Sequence, residues 1–254
     1  MLEIDIRSKH FATNPPHSER RVLDNIRFRL HAGEFLAVVG PSGCGKSTLL
    51  NIIAGLDKDF NGRIDATAAK PVTLGYVFQN PRLLPWLSVR DNITLVLDDP
   101  SAKQHQIDSL LEATGLSQFS HYHSTQLSLG MQRRAALARA FVVEPSLLIM
   151  DEPFVSLDDP TACQLRRLLL EILAVQRTTA IFVTHDLREA TMLADRILFL
   201  SASPASIIGE AWVELSRESR TDEAAVDTRY AKLKRLFARM YPHSMPSGDL
   251  PGGP

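Results

Sequence analysis

Phe35-Leu-Ala-Val-Val39-Gly40-Pro-Ser-Gly-Cys-Gly45-Lys46-Ser47-Thr48-Leu-Leu50 is the stretch on which the fold turns. Its first five residues are a continuous apolar run, read as a strand buried on both faces. The turn that follows, Gly40, Pro41, Ser42, Gly43, Cys44 and Gly45 into Lys46, Ser47 and Thr48, matches the phosphate-binding loop pattern. It sits where that pattern must sit, between a strand and a helix. Glycines let backbone N–H groups wrap phosphates, and the helix N-terminus adds a favourable dipole. Lys46 is expected on the β- and γ-phosphates, with the Ser47 hydroxyl on Mg²⁺. Leu49, Leu50 and Ile53 give helical spacing from Lys46 to Ala54, and Gly55 is the expected stop. The stretch predicts a nucleoside triphosphate site.

Apolar runs at 73–78, 147–150, 180–183 and 197–200 read as further strands. Helical patterns lie between several of them, among them Leu165, Leu168, Leu169, Ile172 and Leu173. Strands alternating with helices imply an α/β fold with a mainly parallel sheet. Before it, Leu2, Ile4, Ile6 and Ile26, Phe28, Leu30 alternate, predicting an N-terminal antiparallel part with a loop over 13–21. From about 84 to 143 there is no convincing strand, so this reads as an inserted helical subdomain. Val226, Tyr230, Leu233, Phe237 and Met240 step by four and three as one amphipathic helix. One domain over 1–241 is expected, with a disordered Pro/Gly/Ser tail over 242–254.

The 254 residues carry 28 Lys+Arg against 29 Asp+Glu, a balance that argues against nucleic acid as partner. Two cysteines cannot make a disulfide framework, which suits a reducing compartment. No apolar stretch is long enough to span a bilayer, and the charged start lacks a signal-peptide core. Any link to a membrane must therefore run through a partner.

Leu147 to Met150 is an apolar strand ending in Asp151 and Glu152. Strand C-termini face the ligand crevice in such sheets. Asp151 is expected to hold Mg²⁺ through its water shell, and Glu152 to orient or deprotonate an attacking water.

Leu127-Ser128-Leu129-Gly130-Met131-Gln132-Arg133-Arg134 then resembles the signature motif of ABC-type ATPases, with Leu129 where the family has a glycine. Other markers follow the family order. Phe11 resembles the aromatic that stacks on adenine, and Gln79 the glutamine that links Mg²⁺ and water to the helical subdomain. Val155-Ser-Leu-Asp158 resembles the loop crossing the dimer interface, with Val155 for the usual serine. His185 resembles the histidine that senses the γ-phosphate. The resemblance covers about 2–215 and implies a P-loop NTPase, RecA-like core. It implies two subunits, by default identical, sandwiching two ATPs so that Ser128, Gly130 and Asp158 serve the opposite nucleotide. Leu83-Leu-Pro-Trp86 and its flanks, 80–92, resemble the nitrate, sulfonate and taurine importer group, in which this segment receives a permease. The implied setting is peripheral, on the cytoplasmic face of the inner membrane, with a permease and, indirectly, an extracytoplasmic substrate-binding protein. The alternatives are an ABC ATPase for lipid extraction or export, or a soluble one acting on nucleic acid.

Four lesser expectations complete the reading. Leu129 turns its side chain into the subdomain. Cys44 is a small space-filling residue rather than a redox sensor, though its place beside a helix N-terminus implies a somewhat lowered thiol pKa. Arg133, Arg134 and Arg139 make ion pairs and stack on the subdomain surface. His121 and His123 lack a third ligand at metal spacing.

Overall fold

The computed structural model describes residues 1–13, 18–66, 72–175 and 178–241; the expected tail over 242–254 lies outside them. Strands β1 (Leu2–Thr13) and β2 (Ser18–Leu30) pair antiparallel, from Leu2 opposite Leu30 to Thr13 opposite Ser18. The loop expected over 13–21 is thus too long. His10 faces Arg21 and Phe11 faces Arg20 across the strands, and polar residues on an outward face hide the period. A third strand missed in the sequence, β4 (Asn61–Ala66), adds to the other edge of β1.

The central sheet has six strands in the order β5-β6-β7-β3-β8-β9. β3 (Phe35–Val39), β5 (Leu74–Val77), β6 (Leu147–Asp151), β7 (Thr179–Thr184) and β8 (Arg196–Leu200) run parallel; β9 (Ile207–Trp212) is antiparallel to β8. β3, β6 and β8 are buried at every residue, as continuous apolar runs require when both faces are covered. Alternation divides their side chains between two cores. Leu36, Val38, Ile149, Ile181 and Leu198 pack with helix α1 (Lys46–Ile53) and with Ile4, Ile6 and Ile26 of the antiparallel sheet. Phe35, Ala37, Met150, Phe182 and Phe199 face the remaining helices.

Those helices are α2 (Val89–Thr94), α3 (Gln104–Ala113), α4 (Leu129–Phe141), α5 (Asp159–Val175), α6 (Leu187–Leu193) and α7 (Glu223–Met240). Side chains at the ends of most of them supply the missing backbone partners. Ser88 caps α2, Ser128 caps α4, Asp186 caps α6 and Asp222 caps α7. No side chain caps α1, so its first-turn N–H groups are left for a ligand.

α7 ends at Tyr241, whose buried hydroxyl donates to the carbonyls of Leu200 and Val39. Burial pushes that phenol well above its usual range. Tyr241→Phe keeps the ring and deletes those bonds, so a loss of about 1 kcal/mol is expected in urea unfolding. An unchanged midpoint would show that the hydroxyl contributes nothing.

Candidate functional site

Parallel pairing sets three chain exits side by side. Val39 is in register with Thr184, and Asp151 with Val183, so Gly40, Glu152 and His185 leave the sheet at one edge. Between them lies Lys46, buried at 5% exposure in the first turn of α1. Its Nζ donates to the Gly40 and Pro41 carbonyls at 2.9 and 3.0 Å, and stands 3.7 Å from Glu152 Oε1. Gly45 takes φ 121°, and a Cβ there would meet Val22 Cγ1 at 2.8 Å, so both backbone and space require glycine.

Ser47 Oγ donates to Asp151 Oδ1 at 3.1 Å. Burial raises the Asp151 carboxyl above its ordinary range, with the Ser47 bond opposing and Glu152 adding to the rise. A hydroxyl and a desolvated carboxylate side by side are the hard oxygen donors that Mg²⁺ takes. The residues fit that ion.

Glu152 has φ 43°, a conformation that costs a non-glycine residue about 1–3 kcal/mol. Its N–H donates to Val183 O at 3.1 Å, and its side chain lies between Lys46 and His185, with Oε2 3.4 Å from His185 Nδ1. The His185 turn is built by Thr184 Oγ1, which accepts from Asp186 N at 3.0 Å and donates to Glu189 Oε2 at 2.7 Å.

Lys46, Ser47, Asp151, Glu152 and His185 thus form one cluster. Ser128, Gly130 and Asp158 form a second one around Thr161. Ser128 Oγ accepts from Met131 N at 3.2 Å, and Asp158 Oδ2 accepts from Thr161 N at the same distance. Gly130 is buried, and a Cβ there would meet Thr161 Cγ2 at 2.6 Å. Phe11 is exposed on β1 beneath the Lys9 ammonium, 4.7 Å from its ring centroid. Its cross-strand partner Arg20 is two residues from Val22, which lies against Gly45. Gln79 is exposed just past β5.

Three expectations need correction. Leu129 is 40% exposed, so its bulk is not turned into the subdomain; as the first residue of α4 it projects from the helix end. Burial pushes the Cys44 thiol up, outweighing Lys46 and the backbone N–H groups that lower it. The three arginines bind backbone carbonyls in place of ion-pairing. Arg133 donates to Pro153 O and Val155 O at 2.6 Å and to Glu152 O at 3.3 Å. Arg139 donates to Pro81 O and Arg82 O at 2.7 and 2.9 Å, and Arg134 to Thr114 O at 3.2 Å. Loop carbonyls lack ladder partners and take these donors. The carbonyl contacts of Arg133 to the Glu152 loop are what the sequence reading missed. A signal was present: Arg133 shares a helix face with the small Ala136 and Ala140, which marks a buried face.

A family model described as ABC transporter matches residues 23–155. The aliphatic sulfonates import ATP-binding protein SsuB 2 of Burkholderia cenocepacia (strain HI2424) is 40% identical over 242 residues, 94% of this chain and 89% of its own. The SsuB protein of Bacillus subtilis (strain 168) is 42% identical over 212 residues, 81% and 82% of the two chains. Among solved structures, the dimeric post-hydrolysis state of the ATP-binding cassette MJ0796 bound to ADP and Pi superposes with TM-score 0.73. It is 27% identical and covers 84% of this chain and 99% of that one. With phosphate loop, acidic strand end and histidine gathered on one sheet edge, the chain belongs to the ABC transporter family, as one of its ATPases.

Proposed function

We propose that the chain is the ATP-hydrolysing subunit of an importer of aliphatic sulfonates or similar small solutes such as taurine or nitrate. It works as an identical head-to-tail pair on the cytoplasmic face of the membrane, bound to a permease that a substrate-binding protein loads from outside. The observation that carries this is the likeness, over most of the chain, to proteins named for aliphatic sulfonate import. A second supports the docking part. Trp86 is 69% exposed, a large aromatic left in solvent of the kind partner surfaces use. No helix among the described residues is long and apolar enough to cross a membrane.

The phosphate loop and Lys46 bind the ATP phosphates, and Phe11 stacks on the adenine. Ser47, Asp151 and Gln79 would hold Mg²⁺, which neutralises charge on the phosphates when bound. Glu152 accepts the proton of the attacking water, and His185, through its contact with Glu152, orients it toward the γ-phosphate. Ser128 and Gly130 of one subunit close over the nucleotide of the other, with Asp158 at the crossing. ATP drives transport only by favouring the closed pair over the open one.

The test is reconstitution in liposomes with an aliphatic sulfonate permease and its substrate-binding protein. ATPase activity and uptake should rise with an alkanesulfonate. Stimulation by lipid or an export substrate instead, with none by any such small solute, would favour the export reading and sink this one. Leu129 tests the identical pair. Its Cβ keeps backbone from approaching the partner nucleotide as closely as glycine would, so Leu129→Gly should raise ATPase activity about threefold. A rise beyond about tenfold would show a crippled native signature. The chain would then need a different subunit as partner.

A further inference from the structure

We infer that Arg133 is a positioning residue that couples the two ATP sites of the pair, carrying the set of the signature segment into the loop that holds Glu152. The inference rests on the head-to-tail arrangement proposed above, in which Ser128 and Gly130 serve one nucleotide and Glu152 of the same chain serves the other.

Residues 152–156 form a short loop bracketed by two non-glycine residues at positive φ, Glu152 at 43° and Ser156 at 61°. Such conformations persist only where neighbours over-determine them. Arg133 supplies that constraint. Its guanidinium is buried, and its two terminal nitrogens reach three carbonyls within the bracket, those of Glu152, Pro153 and Val155. A planar fork with fixed donor directions suits such multipoint capture; one ammonium does not. No ion pair to Arg133 is formed among the described residues, so these carbonyls are its counter-dipoles.

The Glu152 carboxylate points the other way, toward Lys46 and His185. Its backbone is pinned on one side by Val183 O and on the other by Arg133, so a shift of α4 must move the carboxylate. A second contact joins α4 to the helix that follows the loop, Gly130 packed on Thr161 near the start of α5. The segment that senses one nucleotide is therefore tied to the loop that hydrolyses the other through Arg133, and to the helix after that loop through Gly130. Closure on the first site sets the base in the second.

The test is steady-state ATPase of the full chain against ATP, with Arg133→Met and Arg133→Lys and a fluorescent nucleotide analogue for affinity. The wild type should be sigmoidal, with a Hill coefficient of about 1.5–2. Arg133→Met should keep analogue affinity within about twofold, lose about tenfold in kcat and fall to a Hill coefficient of about 1. Arg133→Lys retains the charge and some donors. It should lose about threefold in kcat with an intermediate Hill coefficient, which serves even if the Met variant does not fold. A hyperbolic wild type, or folded variants with the wild-type Hill coefficient, would overturn the coupling, even with reduced kcat. So would a loss confined to analogue affinity. The head-to-tail reading is checked separately, by whether Glu152→Gln dimerises with ATP on gel filtration. If it dimerises and the Arg133 variants stay cooperative, only this inference falls.

Discussion

Replacing Glu152 by glutamine is expected to leave ATP binding intact and to lower turnover about a hundredfold or more, the usual contribution of a positioned general base. The substitution is nearly isosteric, and Arg133 and Val183 hold Glu152 through its backbone, so the loop should keep its shape. What is lost is the proton acceptor, 3.7 Å from Lys46 and 3.4 Å from His185. With hydrolysis stalled, the closed pair has no route to reopen and should accumulate as an ATP-bound dimer. Single-turnover kinetics and gel filtration read the two effects. Near-normal hydrolysis would remove Glu152 from the mechanism and leave His185 as the acceptor to test.

Lys46→Ala should act earlier, on binding. Nζ is already desolvated and held by two carbonyls of the phosphate loop, so little ordering remains to be done when phosphates arrive. Losing a charge-assisted contact of this kind costs about 2–3 kcal/mol, roughly 30- to 150-fold in ATP affinity. Isothermal titration with ATP measures it, with Glu152→Gln as the background so that hydrolysis does not intrude. Unchanged affinity would mean that the assigned loop does not hold the phosphates.

Much of this architecture was legible because burial on both faces leaves a sign in the sequence. β3, β6 and β8 are unbroken apolar runs, and α5 and α7 carry a clean helical period. β4 left no such sign, since Asn61-Gly-Arg-Ile-Asp-Ala66 is exposed except around Ile64 and is held by backbone pairing to β1. β9 has the alternation, but Gly209 interrupts it, because Met240 of α7 fills the space a side chain would need. The clustering of the candidate site was legible where residue type suggests chemistry, as at Lys46, Ser47, Asp151 and Glu152, which the fold brings together. It was not where partners are carbonyls, because any residue supplies one. Arg133 and Arg139 were therefore read by charge alone, and the Cys44 thiol by its helix end without its burial.

Tyr241 gives the protein an order of assembly. Its hydroxyl reaches Val39, the residue just before the phosphate loop, across 202 positions of chain. During synthesis the phosphate loop and its supporting strands emerge long before the residue that closes their floor. Domains generally form from the N-terminus as the ribosome delivers them, at about 5–20 residues per second. A nascent cassette thus spends on the order of ten seconds or more, at that rate, with its loop made and its brace missing. The Tyr241 contact to Val39 comes last, once nearly all of the described residues are out. An unfinished chain released early would lack the Tyr241 brace beneath its phosphate loop.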